Sequence, residues 1–376
     1  MPTPEDGQTR ADRSYVDDEA LFPQNAVIGL FGYDTGTDTF QATYDDETGA
    51  RASEANFFYN QAVTYVWDRS GATVSKAWEY APLKYWPNND GSRLSFMGYH
   101  PYNGAGITPQ LLTANDGTTY GAAYNNSTEG RYGRPRYLFT AQHDSRHEVD
   151  FMVTRHLYDN SEGVSMMAIP HGNIDQLKTS YGITGRVPLR FRHVLAQVRI
   201  VVRMKDGSDA KIDRVENLRL THLYDQATCT YSEDDDNHIE EPTWTGRTYT
   251  VPEAPVDFTR PDLTYQYDGE GNLVDFSEAT VREGLFLLLP QDFSANNDAT
   301  IEFDYYLKDS EDELLHASIQ LNLCTFNAAP LTEWQTGHAY VYTINLSDNG
   351  VKIDEVHVGV CDWNDKGDVD HPLYNW

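Results

Sequence analysis

Near the C-terminus, Tyr340, Tyr342, Ile344 and Leu346 place a large apolar residue at every second position, with Val341, Thr343 and Asn345 between them. A period of two belongs to a strand with one buried face and one wet face. An Asn349-Gly350 pair follows, and because a type I′ turn needs positive φ at both central residues, the pair predicts a hairpin. Beyond it Val351 and Ile353 keep one parity while Val356, Val358 and Val360 keep the other. The returning strand must therefore slip by one residue near Asp354 and Glu355, through a β-bulge or a change of sheet.

Short strand-like segments separated by turn clusters recur along the chain, the pattern of sandwiches rather than of alternating β and α units. Candidate strands in the first half are Ala26 to Phe31, Phe57 to Trp67, Thr73 to Trp78, Arg93 to Tyr99 and Glu148 to Thr154. Asn103 to Arg136 is rich in Gly, Asn, Thr and Tyr, and reads as long surface loops. Farther on, Val198, Ile200 and Val202 alternate with Arg199 and Arg203, and Ile301, Phe303, Tyr305 and Leu307 alternate with Glu302, Asp304, Tyr306 and Lys308. Gly284 to Pro290 has no alternation and predicts a strand covered on both sides. No long helical period stands out. The expected fold is all-β: a flexible leader over 1–20, then two β-sandwich domains in series, transthyretin- or Greek-key-like, over 21–183 and 184–376.

A chain of 376 residues can bury two ordinary cores. Its 58 acidic residues against 28 basic ones give a net charge of −30, which argues against nucleic acid or an anionic membrane surface as partner. Only three cysteines occur, Cys229, Cys324 and Cys361, so no disulfide framework or Cys-x-x-Cys metal knuckle is expected. A Cys324 to Cys361 bridge between neighbouring strands stays conceivable. No apolar run is long enough to span a bilayer as a helix.

No nucleophile elbow, phosphate loop, dinucleotide fingerprint or His-Glu-x-x-His pair appears, and the expectation is a protein without enzymatic activity or cofactor. His143 and His147 have zinc-compatible spacing only on a helix, whereas their short polar segment reads as a turn. His193 shares a strand face with Phe191 and Leu195 and reads as a core histidine. Asp362, Asn364, Lys366, Asp368 and Asp370 mimic a calcium loop, but Lys366 is a cation at a ligand position. Glu233 to Asp236, with Glu240 and Glu241, reads as a solvated acidic loop. Tyr85, Trp86, Tyr99 and Tyr102 are candidates for a sugar-stacking platform, against the plainer reading of turn and strand packing.

In order along the chain, these landmarks resemble the fimbrillin-like family, the surface pilin subunits of Bacteroidales bacteria. The string from Trp334 to Trp363 is similar to the family's close. Tyr85-Trp86-Pro87 followed by Leu94, Phe96, Tyr99 and Pro101 resembles its first-domain pattern, and Val27 to Phe31 its early strand. Asp150 to Val153, Pro188 to Val198 and Leu288 to Gln291 are similar to later strands.

The resemblance implies a structural, accessory or tip subunit of a bacterial fimbria, serving adhesion at the cell surface. It also implies a lipoprotein signal and anchoring cysteine on the precursor, so that a membrane is met only through a lipid anchor. Assembly would be protease-triggered donor-strand exchange, with Arg10 of Thr9-Arg10-Ala11 the first candidate for cleavage and Arg13 the second. Partners would be other pilin subunits, by strand addition, and a host or bacterial surface ligand. Against this, residues 1–9 lack strand character and the segment after Trp363 carries Gly367 and Pro372, poor material for a donor strand. The alternative is a surface lipoprotein that binds glycans through the aromatic platform.

Overall fold

The computed structural model describes residues 15–16, 22, 25–68, 75–85, 93–117, 124–125, 130–144, 148–154, 156–159, 164–165, 168–170, 189, 191–205, 207–231, 239–240, 242–252, 255–267, 285–308, 313–325, 331–347 and 353–362. Strands are the only regular elements among them. The first are β1 (Tyr15–Val16), β2 (Val27–Asp34), β3 (Phe58–Asp68), β4 (Ser75–Glu79), β5 (Arg93–His100), β6 (Ile107–Leu112), β7 (Tyr124–Asn125) and β8 (Tyr132–Thr140). Next come β9 (Met152–Thr154), β10 (His156–Asp159), β11 (Val164–Ser165), β12 (Ala168–Pro170), β13 (Phe191–His193), β14 (Ala196–Met204), β15 (Lys211–Thr221) and β16 (Gln226–Tyr231). The last are β17 (Ile239–Glu240), β18 (Pro242–Thr248), β19 (Phe258–Thr259), β20 (Leu263–Thr264), β21 (Leu285–Leu288), β22 (Thr300–Lys308), β23 (Leu314–Asn322), β24 (His338–Leu346) and β25 (Ile353–Asp362).

Four main sheets result. The first runs β1-β13-β9-β5-β2-β3-β4 with β12 beside β5, and the second β18-β16-β8-β6-β7. The third runs β19-β15-β22-β23 with β20 on β15, and the fourth β21-β14-β24-β25. A small sheet, β11-β10-β17, completes the set. Nearly all ladders are antiparallel; β14 and β24 pair in parallel over their whole length.

The middle of the first sheet is buried on both faces, so β2 and β5 are covered nearly from end to end rather than on alternate residues. Phe31, Tyr33, Met97 and Tyr99 join Tyr137 and Phe139 of the second sheet in the main core. On the other face Ile28, Leu30, Leu94 and Phe96 pack with Phe22 and Phe191. Between the third and fourth sheets, Val198, Ile200, Val202, Tyr340, Tyr342 and Ile344 meet Val215, Leu220, Ile301, Phe303, Tyr305 and Leu307, and this layer is continuous with the main core. The alternation read at Ile301 to Leu307 and at Tyr340 to Leu346 is thus the packing face. The slip expected near Asp354 is a bulge: Glu355 opposes Asn345 while Ile353 opposes Leu346. The Asn349-Gly350 turn lies outside the described residues.

The segment 103–136 is not a run of surface loops. It contains β6, β7 and the start of β8, an inner strand whose Gly133, Pro135, Tyr137 and Phe139 are buried. Pro135 hides the strand in the sequence because proline cannot donate to a ladder. Here it sits opposite the irregularity between Gln110 and Leu112 of β6, and the β16 ladder reaches only Tyr137. Gly133 adopts φ +72°, and a Cβ there would lie 2.3 Å from the Ala42 carbonyl oxygen.

The boundary expected near 183 lies outside the described residues. Chain from either side of it shares sheets: β16 pairs with β8 (Cys229 opposite Tyr137), and β13 with β9. Cys229 and Cys324 carry free thiols, so Cys324 makes no bridge to Cys361.

Tyr137 offers a test of this core. Its ring is fully buried and its hydroxyl has no hydrogen-bond partner among the described residues. Tyr137→Ala is expected to cost about 3–5 kcal/mol in denaturant unfolding. Tyr137→Phe, which removes only an unsatisfied hydroxyl, should be neutral or stabilising by about 1 kcal/mol. A large loss in the phenylalanine variant would show that the hydroxyl is satisfied.

Candidate docking edges and polar clusters

Sheets fold shut on their faces but not along their sides. Arg260, next to β19, donates from Nε to the Leu285 carbonyl of β21. That contact puts β19 and β21 on one flank of the layered third and fourth sheets, leaving β23 and β25 on the other. Each of these outer strands, of 9 and 10 residues, is paired on one side only among the described residues. Their core-facing rows are apolar and incompletely covered. On β23, Leu315 is 42% exposed, with Ala317 and Ile319 half-buried; on β25, Val360 is 48% exposed, with Val356 and Val358 half-buried. Unpaired N–H and C=O groups beside half-open apolar side chains make a ready edge for another strand.

The outward face of β23 carries a different chemistry. Arg219 bonds Glu302, Asn217 and Ser318 bond Asp304, and Gln320 bonds Glu302. Arg214 lies 3.6 Å from the centroid of Tyr306, whose ring stacks on His316 at 4.6 Å. Pairs exposed like these add little stability, but they keep that face polar and solvated.

A second edge lies at β1. Tyr15 and Val16 pair with Arg192 and Phe191, adding this short strand to the end of the first sheet within the segment expected to be a leader. Arg10 and Arg13 lie outside the described residues, upstream of β1 in the sequence.

The candidate aromatic platform is dispersed. Tyr99, grouped by sequence with exposed rings, is fully buried, and its hydroxyl donates to Asn60 Oδ1 at 2.9 Å. The reason is a long-range partner: Tyr99 sits opposite Gly29, where a Cβ would lie 2.2 Å from the tyrosine Cε1, so the ring occupies the space that glycine leaves. Tyr102 is half-buried against the main core. Tyr85 is 90% exposed, on a loop pinned by Lys84 Nζ bonding the Phe57 carbonyl and by Gln61 donating to the Ala81 carbonyl. Trp86 lies outside the described residues, as do His147, Glu233 to Asp236, Glu241 and the residues after Asp362.

Two polar clusters that single-segment reading missed tie the segment after β8 to later strands. His143 Nε2 lies 3.2 Å from Asp225 Oδ2, its ring stacks on Phe258 at 4.6 Å, and Asp225 accepts from the Thr250 amide at 2.6 Å and from its hydroxyl. Burial works most strongly against ionising Asp225, but the hydrogen bonds from His143 and Thr250 outweigh it and hold the carboxyl below its ordinary range. The buried Arg260 guanidinium pairs with Glu148 and lies 3.6 Å from the Phe286 centroid. Burial pushes the Glu148 carboxyl up to about 7, against the pull of Arg260. His193, with Nδ1 2.7 Å from Asp150 Oδ1, is a bonded core histidine. None of these clusters brings three metal-ligating side chains together among the described residues.

Because Asp225 is held below its unfolded value, its stabilising contribution is present at neutral pH and drains away as pH falls through its folded value. Asp225→Asn is therefore expected to lower stability by about 1–3 kcal/mol at pH 7. The melting-temperature gap to the parent should shrink below pH of about 4. A gap that stays constant down to low pH would rule out an ionised Asp225.

A family model described as fimbrillin-like matches residues 9–363. No curated protein matches at a significant level. The chain is similar to a Bacteroides uniformis structure provisionally named for cell adhesion, at 15% identity over 95% of this chain and 100% of that one, with a TM-score of 0.41. A Bacteroides ovatus structure of the same provisional name shows 12% identity over 92% and 90%, with a TM-score of 0.38. The tip fimbrial protein Mfa3 of Porphyromonas gingivalis shows 9% identity over 93% and 98%, with a TM-score of 0.28.

Proposed function

This chain belongs to the fimbrillin-like family, and on that footing we propose that it is a non-enzymatic subunit of a surface fimbria, serving adhesion and joined to its neighbours by strand addition. The observation that carries the proposal is the flank of β23 and β25, two long edges with half-covered apolar rows. Isolated in water such a flank is an aggregation hazard, whereas a neighbour's strand satisfies its backbone and its side chains together. The body is two β-sandwich units in series, divided near residue 183, with β13 and the β16–β18 hairpin reaching back into the first. A lipid anchor on the precursor would hold it at the outer surface of the cell.

Cleavage after Arg10, or second after Arg13, would cut just ahead of β1. Among the described residues two ladder pairs hold that strand to β13, and so short a strand opens at low cost. Its departure would bare the β13 edge for a neighbour. Tyr85 supports a second reading, glycan capture, because its ring is displayed on a pinned loop rather than packed. An affinity gel of surface polysaccharide retarding the parent, but not Tyr85→Ala, would favour that reading.

Two measurements test strand addition. Treating the precursor with an Arg-specific protease should give heat-labile ladders on a gel, lost when Arg10 and Arg13 are both alanine. Val358→Lys should leave the monomer folded, at a cost of about 1–3 kcal/mol, yet reduce ladders at least tenfold by placing a charge in the docking row. Undiminished ladders in Val358→Lys would remove the β25 edge from the assembly.

A further inference from the structure

On the outer face of β14, a cation is buried without a counter-charge among the described residues. Arg199 is 2% exposed, and its buried Nη1 has no hydrogen-bond partner among them. The contrast with Arg260 is instructive: that guanidinium, equally buried, is held by Glu148, by the Leu285 and Thr259 carbonyls and by the Phe286 ring. Arg203, farther along the same face as Arg199, donates to Asn345 Oδ1 at 2.8 Å. The register sets Arg199 beside Leu285 of β21 and Val341 of β24, both uncharged. Glu355, the acidic position that aligns with β14 across this sheet, falls opposite Asn345 at the Arg203 end.

A guanidinium does not shed its proton in a protein, so burial cannot be relieved by neutralisation as it can for lysine or histidine. The remaining relief is an anion. The planar fork of N–H donors matches a carboxylate, which it can hold through two parallel hydrogen bonds. From this geometry we infer that Arg199 is the seat of an anion site on the fourth sheet that takes a single carboxylate. The nearly closed surroundings suit a small head group and not a polyanion. The carboxylate comes either from a free small acid or from an Asp or Glu of a second copy, of which each chain has 58. The inference stands on Arg199 alone and does not depend on the fimbrial reading.

Acetate is the probe, compared with chloride at equal ionic strength and pH. The parent is expected to melt about 1–3 °C higher in acetate. Arg199→Met should lose that increment, and in chloride should be no less stable than the parent because an unpaired buried charge has been removed. Arg199→Lys, which keeps the charge but not the fork, should show a reduced increment. Equal acetate increments in the parent and Arg199→Met overturn the inference, and so does a parent with no acetate increment, even if Arg199→Met fails to fold. Sedimentation separates the sources. A monomer stabilised by acetate takes a free acid, whereas an oligomer dissolved both by acetate and by Arg199→Met takes the carboxylate of a second copy.

Discussion

A sheet satisfies its backbone everywhere except along its outermost strands, and a chain built of strands meets that limit at every edge. How each edge ends decides what the molecule can do. In the first sheet the end is a two-residue strand, β1, laid on β13. In the third and fourth sheets the ends are β23 and β25, long and half open to solvent over apolar rows. A net charge of −30 sets such molecules against one another by repulsion, so that association would be confined to places where backbone pairing outweighs it.

The interior gives these edges a rigid backing. Trp244 donates from Nε1 to the Val194 carbonyl at 2.7 Å, and Tyr231 donates to the Thr154 carbonyl at 2.8 Å. With Phe139 and Phe151 packed around Trp244, the Tyr231 bond and these ring contacts join strands from either side of residue 183. Arg260 with Glu148, and His143 with Asp225, add polar contacts between the same regions. A load applied to an edge strand would pass into this shared core, which suits a structural subunit.

What the sequence disclosed was local. The alternation from Tyr340 to Leu346, the slip at Asp354 and the both-sided burial of Phe286 to Leu288 each arise within one strand or hairpin, where period and parity are visible. What it concealed was set by distant partners. Tyr99 looks like an exposed aromatic until Gly29, far earlier in the chain, is found opposite it. Pro135 argues against a strand until the irregularity in β6 removes the need for its missing N–H. Glu148, Arg260 and Asp225 carry no local signal, and the alternation from Val198 to Val202 puts Arg199 on a wet face although it is buried, because burial of a charge depends on which sheets close around it. The edges were not legible either, since being outermost is a property of the topology and not of a strand's own residues.

Hydrogen–deuterium exchange on the subunit, before and after assembly, tests strand addition most directly. The amides of β23, β25 or β13 should gain strong protection when subunits join, while those of the inner strands β22 and β24 change little. If assembled fibres form and none of these edge strands gains protection, the subunits are held together by some other surface.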